Sequence, residues 1–327
     1  MSRNSGSTGR GTAWQLLRRG RLLLQAVALA ATAFTAAEAR DLKAIGVLVG
    51  DLGNPFFVEL GKGVEAAARE LAGPEVGVTV RSSGYDLDRQ TAQIDEFVKD
   101  GIDILILNAV DTTKIEPAVL RARATGMVVV ATDVKAAGAS ATVTSDNRQA
   151  GKLACRYMAG RLGGKGEVLI LNGPPVSSVI ERVAGCRSEL TAFAGITLLP
   201  DDEDCGGSLD GGLACMTAMM VKHPHIDGVF TINDPTATGA NIAADRAGRQ
   251  EFFIVSVDGS PVAVDLLRNP GTRFAATVAQ NPKGMAELAV QMGIALFKGE
   301  KPAETLIEMP VTLMTADKAK DYTGWGR

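Results

Sequence analysis

Aromatic side chains are scarce in this 327-residue chain, with ten Phe, three Tyr and two Trp making 5% of the whole. Histidine is scarcer, with two residues, both in His223-Pro224-His225. No Cys-x-x-Cys and no His-Glu-x-x-His occurs, so the common zinc frameworks are missing, and a lone His pair at a helix end makes no metal set. Neither a Gly-x-Ser-x-Gly elbow nor a phosphate-binding Gly-x-x-x-x-Gly-Lys-Ser/Thr loop is present. The sequence therefore reads as a protein without catalytic machinery, metal or cofactor. Past the N-terminus no apolar run is long enough to cross a bilayer.

The first 39 residues read as a targeting segment. Arg18, Arg19 and Arg21 precede an apolar run from Leu22 to Phe34, and Ala37-Glu38-Ala39 has the small-x-small form of a cleavage site. A signal peptide cut after Ala39 is expected, exported by the general route or, through Arg18-Arg19, by the twin-arginine route. These residues carry five of the 34 basic side chains and one of the 37 acidic ones, leaving 29 against 36 and a net charge of −7 with His neutral. That balance opposes a nucleic-acid surface.

The whole chain has ordinary globular composition, 46% hydrophobic and 22% charged, and is long enough for two domains. Apolar strand-like runs alternate with helical stretches: "AIGVLVG", "GVTVRS", "ILILNA", "VVVATD", then "EVLILNG", "GITLLP", "GVFTIN", "FFIVSVDG" and "RFAATVAQ". This is a doubly wound α/β pattern run twice, the second run opening near Gly166. In "GDLGNPFFVELGKGVEAA" a strand gives way to a helix through Asn54, a good N-cap, and Pro55, suited to the first helical position. Phe56 and Phe57 then fall in the first turn, at the carboxyl end of a strand, where open sheets bind ligands. Local packing is the competing explanation for both rings.

The ordered pieces "GDLGNPFFVELGKGVEAAA", "ILNAVDTTKIEPAV", "VATD", "VTSDNRQAGKLA", "VFTINDPTATGA", "VSVDGSP" and "ATVAQNPKGMA" resemble the periplasmic sugar-binding proteins of ABC importers, in the ribose-binding branch. The resemblance covers essentially all of the mature chain. It implies two doubly wound parallel-sheet lobes joined by a three-segment hinge, the type I periplasmic binding protein fold. One lobe would hold residues 40–144 and 281–309, the other 145–280 and 310–327. It implies a ligand, a monosaccharide or related polyol, closed between the lobes, and as partners the permease and ATPase subunits of an importer. The protein would be a periplasmic monomer.

A sugar has apolar C–H faces and a rim of hydroxyls, so its receptor needs flat rings and paired donors and acceptors. Matched residue by residue, Phe56 and Phe57 would cover the faces. Asn54, Asn108 and Asp133 would serve the rim from the first lobe, and Arg182, Asn233 and Asp258 from the second, with Gln280 at a hinge. Each also has a plainer reading: Asn and Asp at strand ends often cap helices or form turns, and Arg182 on a helix beginning near Ser177 would by default be solvated. In Asn233-Asp234-Pro235, Asp234 is a candidate for the cap with Asn233 facing the ligand. The chain departs from the ribose-binding pattern at Val134, where an Arg is usual, and in "DDEDCGGSLDGG", where a third aromatic is usual.

Cys155, Cys186, Cys205 and Cys215 allow disulfides in an oxidising compartment. Three of them lie in helical stretches, where buried free thiols are common, so at most one bridge is expected, involving Cys205. Two other roles share this fold. A sugar-responsive repressor would need an N-terminal helix-turn-helix where this chain has its leader. A ligand-binding protein for a membrane signalling receptor is not separated from a transport protein by sequence.

Overall fold

The computed structural model describes residues 41–200 and 203–325, so the leader read over residues 1–39 lies outside the described residues. Strands β1 (Ala44–Val49), β2 (Gly77–Ser82), β3 (Ile104–Leu107), β4 (Val128–Thr132), β5 (Ala141–Ser145) and β11 (Leu306–Met309) form a parallel sheet in the order β11-β5-β4-β3-β1-β2. A second sheet runs through β6 (Lys165–Leu171), β7 (Gly195–Leu198), β8 (Gly228–Thr231), β9 (Phe253–Asp258), β10 (Phe274–Ala279) and β12 (Thr312–Thr315), in the order β12-β10-β9-β8-β6-β7. All of its pairings are parallel except that of the edge strand β12 with β10. In the first sheet β1 is interior, pairing Val47 with Val80 on one side and Ile106 on the other. Val47, Leu48 and Val49 are fully buried because helices cover both faces, which explains the unbroken apolar run.

The sequence pattern did not reveal β5, β11 and β12. They are four or five residues long, and β11 and β12 leave much of their surface exposed at sheet edges, so no strong apolar run marks them. They matter because they carry the passages between sheets. The chain leaves β5 for the second sheet at Ser145–Asn147, returns after β10 at Gln280–Pro282, and crosses again between Met309 and Thr312.

The helices are α1 (Pro55–Ala72), α2 (Leu87–Lys99), α3 (Glu116–Ala124), α4 (Asn147–Arg161), α5 (Ser177–Leu190), α6 (Leu209–Lys222), α7 (Asp234–Ala247), α8 (Pro261–Arg268) and α9 (Pro282–Phe297). One apolar cluster packs α1 and α9 on the first sheet through Leu60, Val64, Met285 and Val290. Another packs α6, α7 and α8 on the second sheet. A third joins the opposite faces of both sheets and includes Val134 from one side with Val176 and Val179 from the other.

The expectation of at most one disulfide is corrected by two, Cys155–Cys186 and Cys205–Cys215. Helices α4 and α5 meet at backbone distance because Gly151 and Gly185 lack side chains: a Cβ on them would lie 1.9 Å from the Arg182 carbonyl oxygen and 2.1 Å from that of Arg148. This crossing brings the Cα atoms of Cys155 and Cys186 to 5.0 Å, within disulfide reach. Helical position alone did not reveal it.

Candidate functional site

The carboxyl ends of the interior strands of both sheets face one cleft, and all nine residues singled out from sequence line one cavity there, of about 540 Å³ counted to its mouth. Asn54 caps α1, its side-chain oxygen accepting from the Phe56 N–H at 3.0 Å. Phe56 and Phe57 are 3% and 6% exposed and belong to the core cluster of the first sheet while also lining the cavity. The packing and site readings therefore describe the same two rings. Their centroids lie 5.6 Å apart, edge to face, and Phe56 meets Trp325 in the same way at 5.5 Å. Trp325 in turn donates its indole N–H to the Asp258 carbonyl oxygen at 2.9 Å, so the chain's tail touches residues from both sheets.

Asn108, at the end of β3, is spent on order within its own lobe. Its oxygen accepts from the Gly50 N–H at 3.2 Å and its amide donates to Asp133 Oδ2 at 3.0 Å. Asp133 follows β4 in the left-handed region, φ 62°, which turns its carboxylate into the cleft.

Arg182 is 5% exposed, which corrects the default of a solvated charge. Its Nε donates to Asn147 Oδ1 at 2.8 Å and its Nη1 to the Ile232 carbonyl at 3.0 Å. The guanidinium stands between two carboxylates, Nη2 at 3.9 Å from Asp133 and Nη1 at 3.8 Å from Asp258. One cation thus faces one acid from each lobe. Burial raises the Asp133 carboxyl above its ordinary range, against the opposing pull of Arg182 and the Asn108 amide. Asp258 is raised well above it, by burial first and then by the neighbouring Asp234 carboxylate.

Asn233, not Asp234, caps α7: its oxygen accepts from the Thr236 N–H at 3.0 Å and its amide donates to the Gly207 carbonyl at 2.8 Å. Asp234 turns inward, 1% exposed, and accepts from the hydroxyls of Ser256 and Thr277 and the Ser260 N–H. Gln280 donates to Asp258 Oδ1 at 2.8 Å, and its buried Oε1 has no protein partner. That oxygen is an acceptor free for a donor in the cavity.

The two lobes also bind each other at the cleft. Helix α5 begins without a side-chain cap of its own, and Thr112 from the first lobe supplies one, its hydroxyl accepting from the Ser177 N–H at 3.1 Å. The Ser177 hydroxyl accepts from the Lys135 N–H at 2.8 Å, and Lys135 Nζ pairs with Glu181 at 2.6 Å.

Sequence reasoning missed Tyr85, which lines the cavity from the turn after β2. The signal was present: in a chain short of rings, an aromatic follows a glycine at a strand's carboxyl end. Among the described residues no group of three or more His, Cys, Asp or Glu gathers to hold a metal, and no helix is long and apolar enough to cross a membrane.

A family model described as a periplasmic binding protein domain matches residues 45–301. The chain belongs to the periplasmic binding protein family. It is 31% identical over 275 residues to the ribose import binding protein RbsB of Bacillus subtilis, an alignment covering 83% of this chain and 87% of that one. It is 30% identical to the xylitol-binding protein of Mycolicibacterium smegmatis, over 80% of this chain and 74% of the relative. In fold it is similar to an ABC transporter solute-binding protein from Mycobacterium smegmatis with bound glycerol, with a TM-score of 0.81 and 24% identity over 87% of this chain and 98% of the other. The relatives of this family are binding proteins, and the two parallel-sheet lobes read from sequence are those of the family.

Proposed function

We propose that this protein is an extracytoplasmic solute-binding protein that closes on a monosaccharide or related polyol and delivers it to the permease and ATPase subunits of an ABC importer. The observation that carries the reading is the convergence of nine side chains from two lobes on one cavity, with rings on one side and donors and acceptors around it. Phe56 and Phe57 offer faces to C–H groups. Asp133, Asp258 and Gln280 Oε1 accept from hydroxyls and Arg182 donates, in a site where charge-assisted bonds strengthen as water is excluded. No residue is asked to make or break a covalent bond.

Ribose and xylitol, for which the two relatives are named, support small polyhydroxylated compounds as the class. On this reading residues 1–39 are a signal peptide, the mature chain is a periplasmic monomer, and its lobes are residues 40–144 with 281–309 and 145–280 with 310–327. Rotation about Ser145, Gln280 and Pro310 would open the cleft, with sugar stabilising the closed form through contacts available only there.

Calorimetric titration of the mature chain with D-ribose, D-allose, xylitol and myo-inositol tests ligand class, and small-angle scattering tests closure. A saturable site with a fall in radius of gyration is expected. Binding with equal radii at saturation would leave a rigid pocket, and no binding by any of the four would remove the sugar reading.

A further inference from the structure

Tyr85 stands where the cleft divides. It lines the inner cavity, and with Asn54 and Gly207 it also borders an outer one of about 690 Å³ whose walls include Pro55, Leu209, Val262 and Trp325. Its backbone is left-handed, φ 59°, directly after Gly84 at φ 63°, a conformation that a bulky aromatic residue rarely adopts. Glycine would suit the position better. The ring does not repay that strain by packing in the interior, for Tyr85 is 39% exposed and belongs to none of the three apolar clusters.

The surroundings nevertheless hold the ring in place. Its N–H donates to the Gly50 carbonyl at 3.1 Å, and the ring lies flush on Gly50, where a Cβ would come within 2.5 Å of Tyr85 Cε1. It borders both cavities together with Asn54, the residue that starts the helix bearing Phe56 and Phe57. Backbone strain kept at a cleft with no return in core packing points to a role in that cleft. The second-lobe stretch Cys205-Gly206-Gly207 offers no ring there.

We infer that Tyr85 is a ligand-contacting residue, the third aromatic wall of the inner cavity, supplied by the first lobe in place of a ring from the second. The inference rests on the sugar-binding reading. The wall closes the inner cavity against the outer one, so it contacts a ligand seated beside Phe56 and Phe57 and limits its size.

Glycine substitution separates binding from folding here, since it relieves the left-handed strain while removing the ring. With D-ribose, D-allose, xylitol and myo-inositol as probes, Tyr85→Gly is expected to melt at or above the temperature of the unaltered protein. It should bind the probe that the unaltered protein holds about 10- to 100-fold more weakly, as loss of a contacting ring does. Tyr85→Phe should recover most of that loss. Gly50→Ala, which displaces the ring without removing it, should weaken binding in the same direction. Affinity of Tyr85→Gly within twofold of the unaltered protein, or Tyr85→Phe as weak as Tyr85→Gly, overturns the inference while leaving the sugar reading intact. Failure of all four probes to bind the unaltered protein removes the sugar reading, and this inference with it.

Discussion

The two walls of the cleft are built on opposite principles. The first lobe presents Phe56 and Phe57, which are at once cavity lining and core. The second presents Arg182 and Asp258, buried and held by hydrogen bonds, with the helix of Arg182 tied to its neighbour by a covalent link. Cys155–Cys186 ties the helix carrying Arg182 to its neighbour, and Cys205–Cys215 ties to α6 the loop whose Gly207 carbonyl accepts from Asn233. An apolar wall orders itself by burial, whereas a polar one must have every partner placed, and rigid supports supply that placement. Mutation of Phe56 or Phe57 should thus couple binding to stability, whereas mutation of Arg182 should separate them.

The largest effect is expected for Phe56→Ala. Because the ring is 3% exposed, truncation should cost about 3–5 kcal/mol of unfolding free energy by urea titration as well as affinity. Stability retained with affinity lost would dissolve the contrast and make the ring a ligand surface alone. Arg182→Ala should weaken binding by about 2–5 kcal/mol by leaving Asp133 and Asp258 without their shared cation. The far-ultraviolet dichroism should stay unchanged, with Cys155–Cys186 still holding α5. Removing that bridge by Cys155→Ala with Cys186→Ala should lower stability by about 2–4 kcal/mol, since it closes a loop of sequence separation 31. An unchanged urea midpoint would show that the glycine crossing alone fixes the helix pair.

Acid dependence sharpens the comparison. Burial and Asp234 raise the Asp258 carboxyl, so between the ordinary carboxylate range and its raised value the folded protein holds a proton that the unfolded chain has lost. Stability from this group is therefore present at low pH and lost as pH rises through that window. Asp258→Asn cannot ionise, and should melt a few degrees above the unaltered protein at pH 7, with the gain shrinking toward pH 4. A variant melting lower at pH 7 would mean that pairing with Arg182 outweighs burial. The smallest effect belongs to Lys135→Ala, whose half-exposed pair with Glu181 joins the lobes: a loss of about 0.2–1 kcal/mol in affinity, diminishing with added salt.

Much of the site was legible because strand ends are legible. Asn54, Asn108, Asp133, Asn233, Asp258 and Gln280 each stand where an apolar run stops, and in a parallel sheet those ends share one face. Arg182 lies mid-helix, with no pattern to distinguish it from a solvated arginine, and only its position in the family's motif singled it out. Tyr85 carried only a faint mark in sequence, a scarce aromatic after Gly84 at a strand's end, and what gives it weight, a backbone angle and the space above Gly50, is not written in residue order. The assignment of Asn233 and Asp234 was undecidable locally, since both side chains can cap. The hydroxyls of Ser256 and Thr277, from two other strands, draw Asp234 inward and leave the cap to Asn233.

The sequence by itself determined the doubly wound alternation, the helix starts at Asn54-Pro55 and Asn233-Asp234-Pro235, and the overall acid excess, because these follow from local periodicity, capping chemistry and composition. Tertiary structure alone decided that four cysteines make two bridges, that Phe56 serves core and cavity together, and that one guanidinium faces a carboxylate from each lobe. Those outcomes depend on distances between segments far apart in the chain, set by how closely helices can approach across glycines and by which buried polar groups find partners.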